Sequence, residues 1–325
     1  MKSEVVIARR DLIKTVATIA AVVPVTTAAT SALSAEQTQE NPVAQSTATM
    51  QLAQVATLAE VPLGAGTKLT IERRDQVALL GLHRPTAENR IDPETFLALA
   101  KALYDYDNDP SLRAAILFGH GERFSRGIDV EAYRAVANSG GPLAGVTQVI
   151  NPLNYGLMRR KKPLIVAVHG DTWNLAHELF LSADIRVAAA DTNFGQDENS
   201  HGRFPGGGST VRFVREAGWG NAMRYMLTGD HWTAQDAYRM GVLQEIVKTP
   251  QGALDRAFEV ATKIAACAPL GVVTTLTSAH LAVDSGDAEA FSKLGAQYAA
   301  LYRTKDFIEG LSAQAEGCPP VFHGD

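Results

Sequence analysis

Cysteine is scarce in this chain. There are two, Cys267 and Cys318, in 325 residues. No C-x-x-C pair and no Cys/His cluster occurs, so the spacing excludes the common zinc modules, and no metal is expected. A chain of this size needs no disulfide staple, and both thiols are expected to be unpaired. Basic charge is also short. Thirty Lys and Arg face 35 Asp and Glu, a net charge of −5, without the basic footprint of a nucleic-acid binder. Other motifs are missing. His177-Glu178 starts like a zinc-protease helix, but Leu181 stands where the second histidine belongs. Ser209 follows three glycines, but Val211 occupies the place of the glycine in G-x-S-x-G. No phosphate loop and no dinucleotide fingerprint after a strand is found, so kinase and hydride-transfer chemistry have no support.

What is present divides into unequal parts. Arg9-Arg10-Asp11-Leu12-Ile13-Lys14 leads into an apolar stretch from Thr15 to about Ala32. This is the pattern of a charged n-region and a modest h-region, and residues 1–35 read as an export signal of twin-arginine type. A periplasmic location is therefore expected, with the cytoplasm as the alternative. Residues 36–67 contain no Lys or Arg, are rich in Gln, Thr and Ala, and read as a flexible linker.

The body begins near Lys68. Leu69–Arg73 and Gln76–Leu82 read as a hairpin joined at Arg74-Asp75. Asp92-Pro93-Glu94 opens a helix, with Asp as cap and Pro at the first helical position. Ala114–Phe118, Leu164–His169 and Ile185–Ala189 are buried strands. Strands alternating with helices predict an α/β body from 68 to 250. Residues 251–325 read as amphipathic helices suited to packing on another subunit.

Four segments remain. They are Phe124-Ser125-Arg126-Gly127-Ile128-Asp129; Pro163 to Gly170 leading to Glu178-Leu179 and Ala183-Asp184-Ile185-Arg186; Phe194-Gly195-Gln196-Asp197-Glu198 with Pro205-Gly206-Gly207-Gly208; and Leu227-Thr228-Gly229-Asp230 with Ala234 to Ala237 and Gly241-Val242-Leu243. In this order and spacing the chain resembles the crotonase family, the enoyl-CoA hydratases and isomerases, from about residue 68 to 322. The resemblance implies a spiral of ββα units with C-terminal helices that support a homotrimer or a dimer of trimers. It implies an acyl-CoA substrate, with coenzyme A part of the substrate and no separate cofactor. It places an oxyanion hole on the backbone N–H groups of Ile128 and Leu175, and gives Gly127, Asp129, Asn174, Pro205 and Gly206 to substrate binding. Glu178 would hold and deprotonate water, and Glu198 would protonate the α-carbon of a 2-enoyl thioester. Two carboxylates around one water can divide acid and base roles.

Other readings compete. Trp173-Asn174-Leu175-Ala176 stands where such hydratases carry glycines, Ile128 adds bulk, and Val130-Glu131 replaces a lysine on the phosphate side. An exported enzyme would also not meet CoA esters. Hydrolase or isomerase chemistry on a non-CoA carbonyl compound, such as cleavage of a β-diketone, is the alternative, as is a non-catalytic binding role. Asn174 could bond a carbonyl or cap a helix. His177 and His201 read as packing or surface residues, Trp219 as a packing residue, and Asp129 and Asp197 as loop formers.

Overall fold

The computed structural model describes residues 66–325 apart from residue 157. The expected export signal, and the linker up to residue 65, lie outside the described residues. The six-stranded main sheet runs β1 (Leu69–Arg74), β2 (Val77–Leu82), β3 (Ala114–Gly119), β4 (Leu164–Val168), β6 (Ile185–Ala189) and β9 (Glu245–Val247). Only β1 is antiparallel to its neighbour. The turn of the hairpin is Asp75-Gln76 rather than Arg74-Asp75. Arg74 still pairs with Val77, and Asp75 takes a φ of 51° to reverse the chain.

The interior strands are apolar on both faces because helices cover both sides. Alternate residues divide between two cores. Leu80, Leu117 and Val166 point towards α1 (Pro93–Asn108) and α3 (Leu175–Ser182). Val77, Leu79, Ile116, Ile165 and Val187 point towards α7 (Pro250–Ala265). Helix α7 presents Ala253, Ala257, Ala261 and Ala265 at four-residue intervals, and all are buried. So small a stripe lets the helix axis come close to the sheet. The start of α1 is as expected. Asp92 caps it by accepting from Thr95 N–H at 2.7 Å, and Pro93 takes the first helical position.

A second, three-stranded sheet joins β5 (Asp171–Trp173), β7 (Asn193–Gly195) and β8 (Trp232–Thr233). Parallel pairing of Ser125 with Thr172 and of Thr172 with Phe194 stacks three successive turns of the chain. In each turn a strand of the main sheet leads to a short stretch beside the next turn and then to a helical segment. These are β3, Ser125 and α2 (Val130–Val136); β4, β5 and α3; β6, β7 and the 3-10 turn Glu198–His201. This is the α/β spiral of strand–strand–helix units that the sequence implies. The short strands escape a reading by periodicity because three residues cannot display one.

Helices α4 (Ser209–Ala217), α5 (Trp219–Thr228) and α6 (Ala234–Arg239) follow the third turn. Beyond α7 come α8 (Pro269–Ser285), α9 (Asp287–Leu301) and α10 (Lys305–Glu316). Trp219 does not serve packing: it is 72% exposed at the start of α5. Cys267 and Cys318 are both free and exposed.

Candidate active site

The ends of the three stacked turns lie side by side, and each delivers one part of the site. The first is Gly127-Ile128. Gly127 has a φ of 83°, and a Cβ there would stand 2.9 Å from both Asn174 Cβ and Trp173 O. It would be 3.4 Å from Leu175 N. Only glycine allows this approach of the first turn to the second. Gly127 O and Asp129 N are both bonded to Ile91, at 2.8 and 2.9 Å, which fixes the loop from behind. Ile128 N–H donates to no acceptor among the described residues.

The second part is Asn174-Leu175 at the start of α3. Asn174 has φ 54° and ψ −121°, a conformation suited to glycine that costs another residue about 1–3 kcal/mol. The strain of this glycine-replacing segment falls on Asn174, and Leu175 is helical. Leu175 N–H is the first of the helix and, like Ile128 N–H, donates to no acceptor among the described residues. The side chain of Asn174 neither caps α3 nor stands free. Its Nδ2 donates to Asp197 Oδ1 at 2.8 Å, and its Oδ1 accepts from Asp197 N at 3.0 Å.

Glu178 is one turn into α3 and 3% exposed. Its Oε1 accepts from Gly207 N at 2.6 Å and from Ser209 N at 3.3 Å. Burial outweighs these bonds and pushes its pKa up to about 7. A Cβ on Gly207 would stand 2.2 Å from Glu178 Oε2, so the carboxylate occupies the room that glycine leaves. The third part is Glu198, 6% exposed, with a buried Oε2 that has no partner among the described residues. Burial, reinforced by the charges of Glu178 and Asp197, pushes it up to about 8.

Glu178, Glu198, Ile128, Leu175, Asn174 and Gly206 share the wall of one cavity of about 370 Å³. Gly127, Asp129 and Pro205 are not on that wall. Asp129 caps α2 through Ala132 N at 3.3 Å, and Pro205 is buried. Sequence reasoning missed Phe96, Tyr133, Tyr155, Arg203 and Phe204, which also line the wall. Only their place in the folded chain marks them. It also missed Gly207 and Ser209 as donors to Glu178, although the glycine run that supplies them was visible.

The Arg84 guanidinium is engaged by two carboxylates. It lies 3.3 Å from Asp92 and 3.4 Å from Asp129, and so ties the caps of α1 and α2 together. His177 is fully buried among Phe180, Phe194, Phe213 and Trp232, and burial lowers it to about 3. It is a neutral packing residue, whereas His201 is exposed. Among the described residues no group of three His, Cys, Asp or Glu side chains could hold a metal ion.

A spiral of this kind, with paired carboxyls facing free N–H groups, defines the crotonase class. The sequence profile of the enoyl-CoA hydratase/isomerase family matches residues 72–325, and the chain belongs to this family. It is 34% identical over 261 residues to enoyl-CoA hydratase EchA19 of Mycobacterium tuberculosis, covering 79% of this chain and 97% of the relative. It is 33% identical over 267 residues to the carnitinyl-CoA dehydratase of Salmonella arizonae, covering 79% and 98%. The crystal structure of a probable enoyl-CoA hydratase/isomerase from Mycobacterium abscessus superposes with a TM-score of 0.76 at 40% identity, covering 79% of this chain and 99% of that one.

Proposed function

We propose that this protein is a hydro-lyase that adds water to the double bond of a 2-enoyl-CoA thioester. The observation that carries the reading is the pair Glu178 and Glu198. Both are buried in one cavity, and they are pushed up to about 7 and about 8. Near neutral pH such a pair supplies one carboxylate and one carboxylic acid, which is what hydration consumes. Glu178, the weaker holder of its proton, takes a proton from water as the oxygen adds to the β-carbon. The thioester oxygen becomes an enolate oxygen, and Ile128 and Leu175 donate their N–H groups to it. Donors fixed before the charge develops contribute several kcal/mol to such a step. Glu198 then delivers its proton to the α-carbon, and proton exchange with solvent restores the pair. Family membership and the named relatives support the thioester substrate.

Ile128 and Leu175 side chains narrow the cavity, which favours a small or flat acyl group. The same feature supports the second reading, a compact carbonyl compound without CoA. The helices after α7 expose Phe291, Leu294, Tyr298, Tyr302, Ile308 and Leu311, in keeping with a homotrimer.

The test is hydration of crotonyl-CoA by the purified protein. Turnover is expected, with kcat reduced by about a thousandfold or more in Glu178→Gln and in Glu198→Gln while the thioester still binds. Failure to bind or turn over any enoyl-CoA by well-folded protein would sink the thioester reading in favour of a non-CoA carbonyl substrate.

A further inference from the structure

Asn174 and Asp197 together make an arrangement that a glycine at 174 could not make. Every polar group of Asn174 is engaged. Its N–H donates to Gly195 O at 2.8 Å, and its carbonyl accepts from Glu178 N at 3.0 Å and Gln196 Nε2 at 3.1 Å. Its amide and the Asp197 backbone and carboxylate form a reciprocal pair, at 2.8 and 3.0 Å. Glycine would satisfy the backbone at φ 54° and ψ −121° without strain. What asparagine adds is the side-chain pair alone, and the retained strain asks what that pair does. Leu175, with its free N–H, is the next residue on one side. Glu198 is the next residue on the other. The Asp197 carboxylate has no other side-chain hydrogen bond among the described residues. His231 and His201 stand 3.7 and 3.8 Å away, beyond hydrogen-bond reach.

We propose that Asn174 is a positioning residue whose pairing with Asp197 locks the loop presenting Leu175 N–H to the loop carrying Glu198. The proposal rests on the hydratase reading, in which these groups stabilise the enolate and deliver the proton. A fixed spacing between them keeps the α-carbon within reach of the acid while the oxygen is held. Slippage of about 1 Å in such an arrangement costs about a hundredfold in rate.

Asn174→Gly removes the pair and the strain together, so folding is not penalised by the backbone. Asp197→Ala removes the carboxylate half of the pair and leaves only the backbone N–H of residue 197 on Asn174 Oδ1. Both are expected to lower kcat for crotonyl-CoA by about a hundredfold with KM little moved. The exchanged double variant Asn174→Asp, Asp197→Asn keeps one amide and one carboxylate on facing residues, and kcat is expected to return to near the wild-type value. A second readout needs no turnover. In Asp197→Ala, amide hydrogen exchange at Asn174 and Glu178, on the far side of the cut, is expected to quicken while β4 amides stay unchanged. Wild-type kcat and unaltered exchange in the single variants would overturn the proposal. So would lost thermal stability that the exchanged variant does not restore. A wild-type protein that hydrates no enoyl-CoA would defeat the hydratase reading instead, and the exchange measurement would still decide whether the two loops are coupled.

Discussion

Glu178 and Glu198 are buried against the ordinary preference of carboxylates for water, and the consequence can be measured by titration. The rate is expected to rise as pH climbs through about 7, where Glu178 ionises, and to fall above about 8, where Glu198 loses its proton. The two limbs belong to the coupled pair, and each should disappear from the residual profile of the matching Gln variant. Stability carries the opposite mark. Glu198 has an ordinary value near 4.5 when unfolded and about 8 when folded. Between those values the unfolded chain sheds a proton that the folded chain keeps, so stability falls as pH rises. Glu198→Gln is expected to melt higher than wild type at pH 8, by a few kcal/mol, with the advantage vanishing below about pH 4.5. Differential scanning calorimetry at the two pH values would check it. Both glutamates were legible in the sequence because they sit at family spacings beside a helix start and a glycine run. The partners that set their environment were less so. The N–H groups of Gly207 and Ser209 reach Glu178 only through backbone direction and tertiary contact, which spacing does not encode.

At the scale of elements, hydrophobic pattern carried most of the information. The strands Leu69–Arg74, Val77–Leu82 and Ala114–Gly119 were visible as apolar runs with turns between them, and α1 by its Asp92-Pro93 start. The short strands β5, β7 and β8 were not, because pairing with neighbouring turns defines them, not their own composition. Helix α7 illustrates how packing limits sequence. Its buried face is alanine at four-residue spacing, against Val77, Leu79 and Ile165. Ala257→Leu should force the helix off the sheet, since excess volume in a filled core costs about 1–3 kcal/mol. The expected outcome is a lower melting temperature with KM unchanged, because the cavity lies on the opposite face. An equal change at exposed Thr262 should be near neutral.

For the whole molecule, the last two helices are sparsely buried. Ala290 is buried in α9, with Asp306 and Ala313 in α10, while Phe291 is 69% and Tyr298 61% exposed. Apolar surface on neighbouring positions is what an interaction face presents. If the protein is a trimer closed through these helices, Phe291→Glu with Tyr298→Glu should lower the mass seen by light scattering to that of one chain. An unchanged mass would place the subunit contact elsewhere. Subunit number depends on surface shape, which residue spacing does not encode.

The division of the sheet between two cores also sets an order in time. Every group that faces the cavity has been synthesised by residue 207, and the turns that carry them follow one another along the chain. Among the described residues, the reverse of the sheet, with Leu79, Ile116, Ile165 and Val187, is covered by α7, which emerges some 50 residues later. A growing chain of that length would carry every cavity residue on one side and an apolar wall awaiting α7 on the other. During that interval the wall, not the site, is what a chaperone would find.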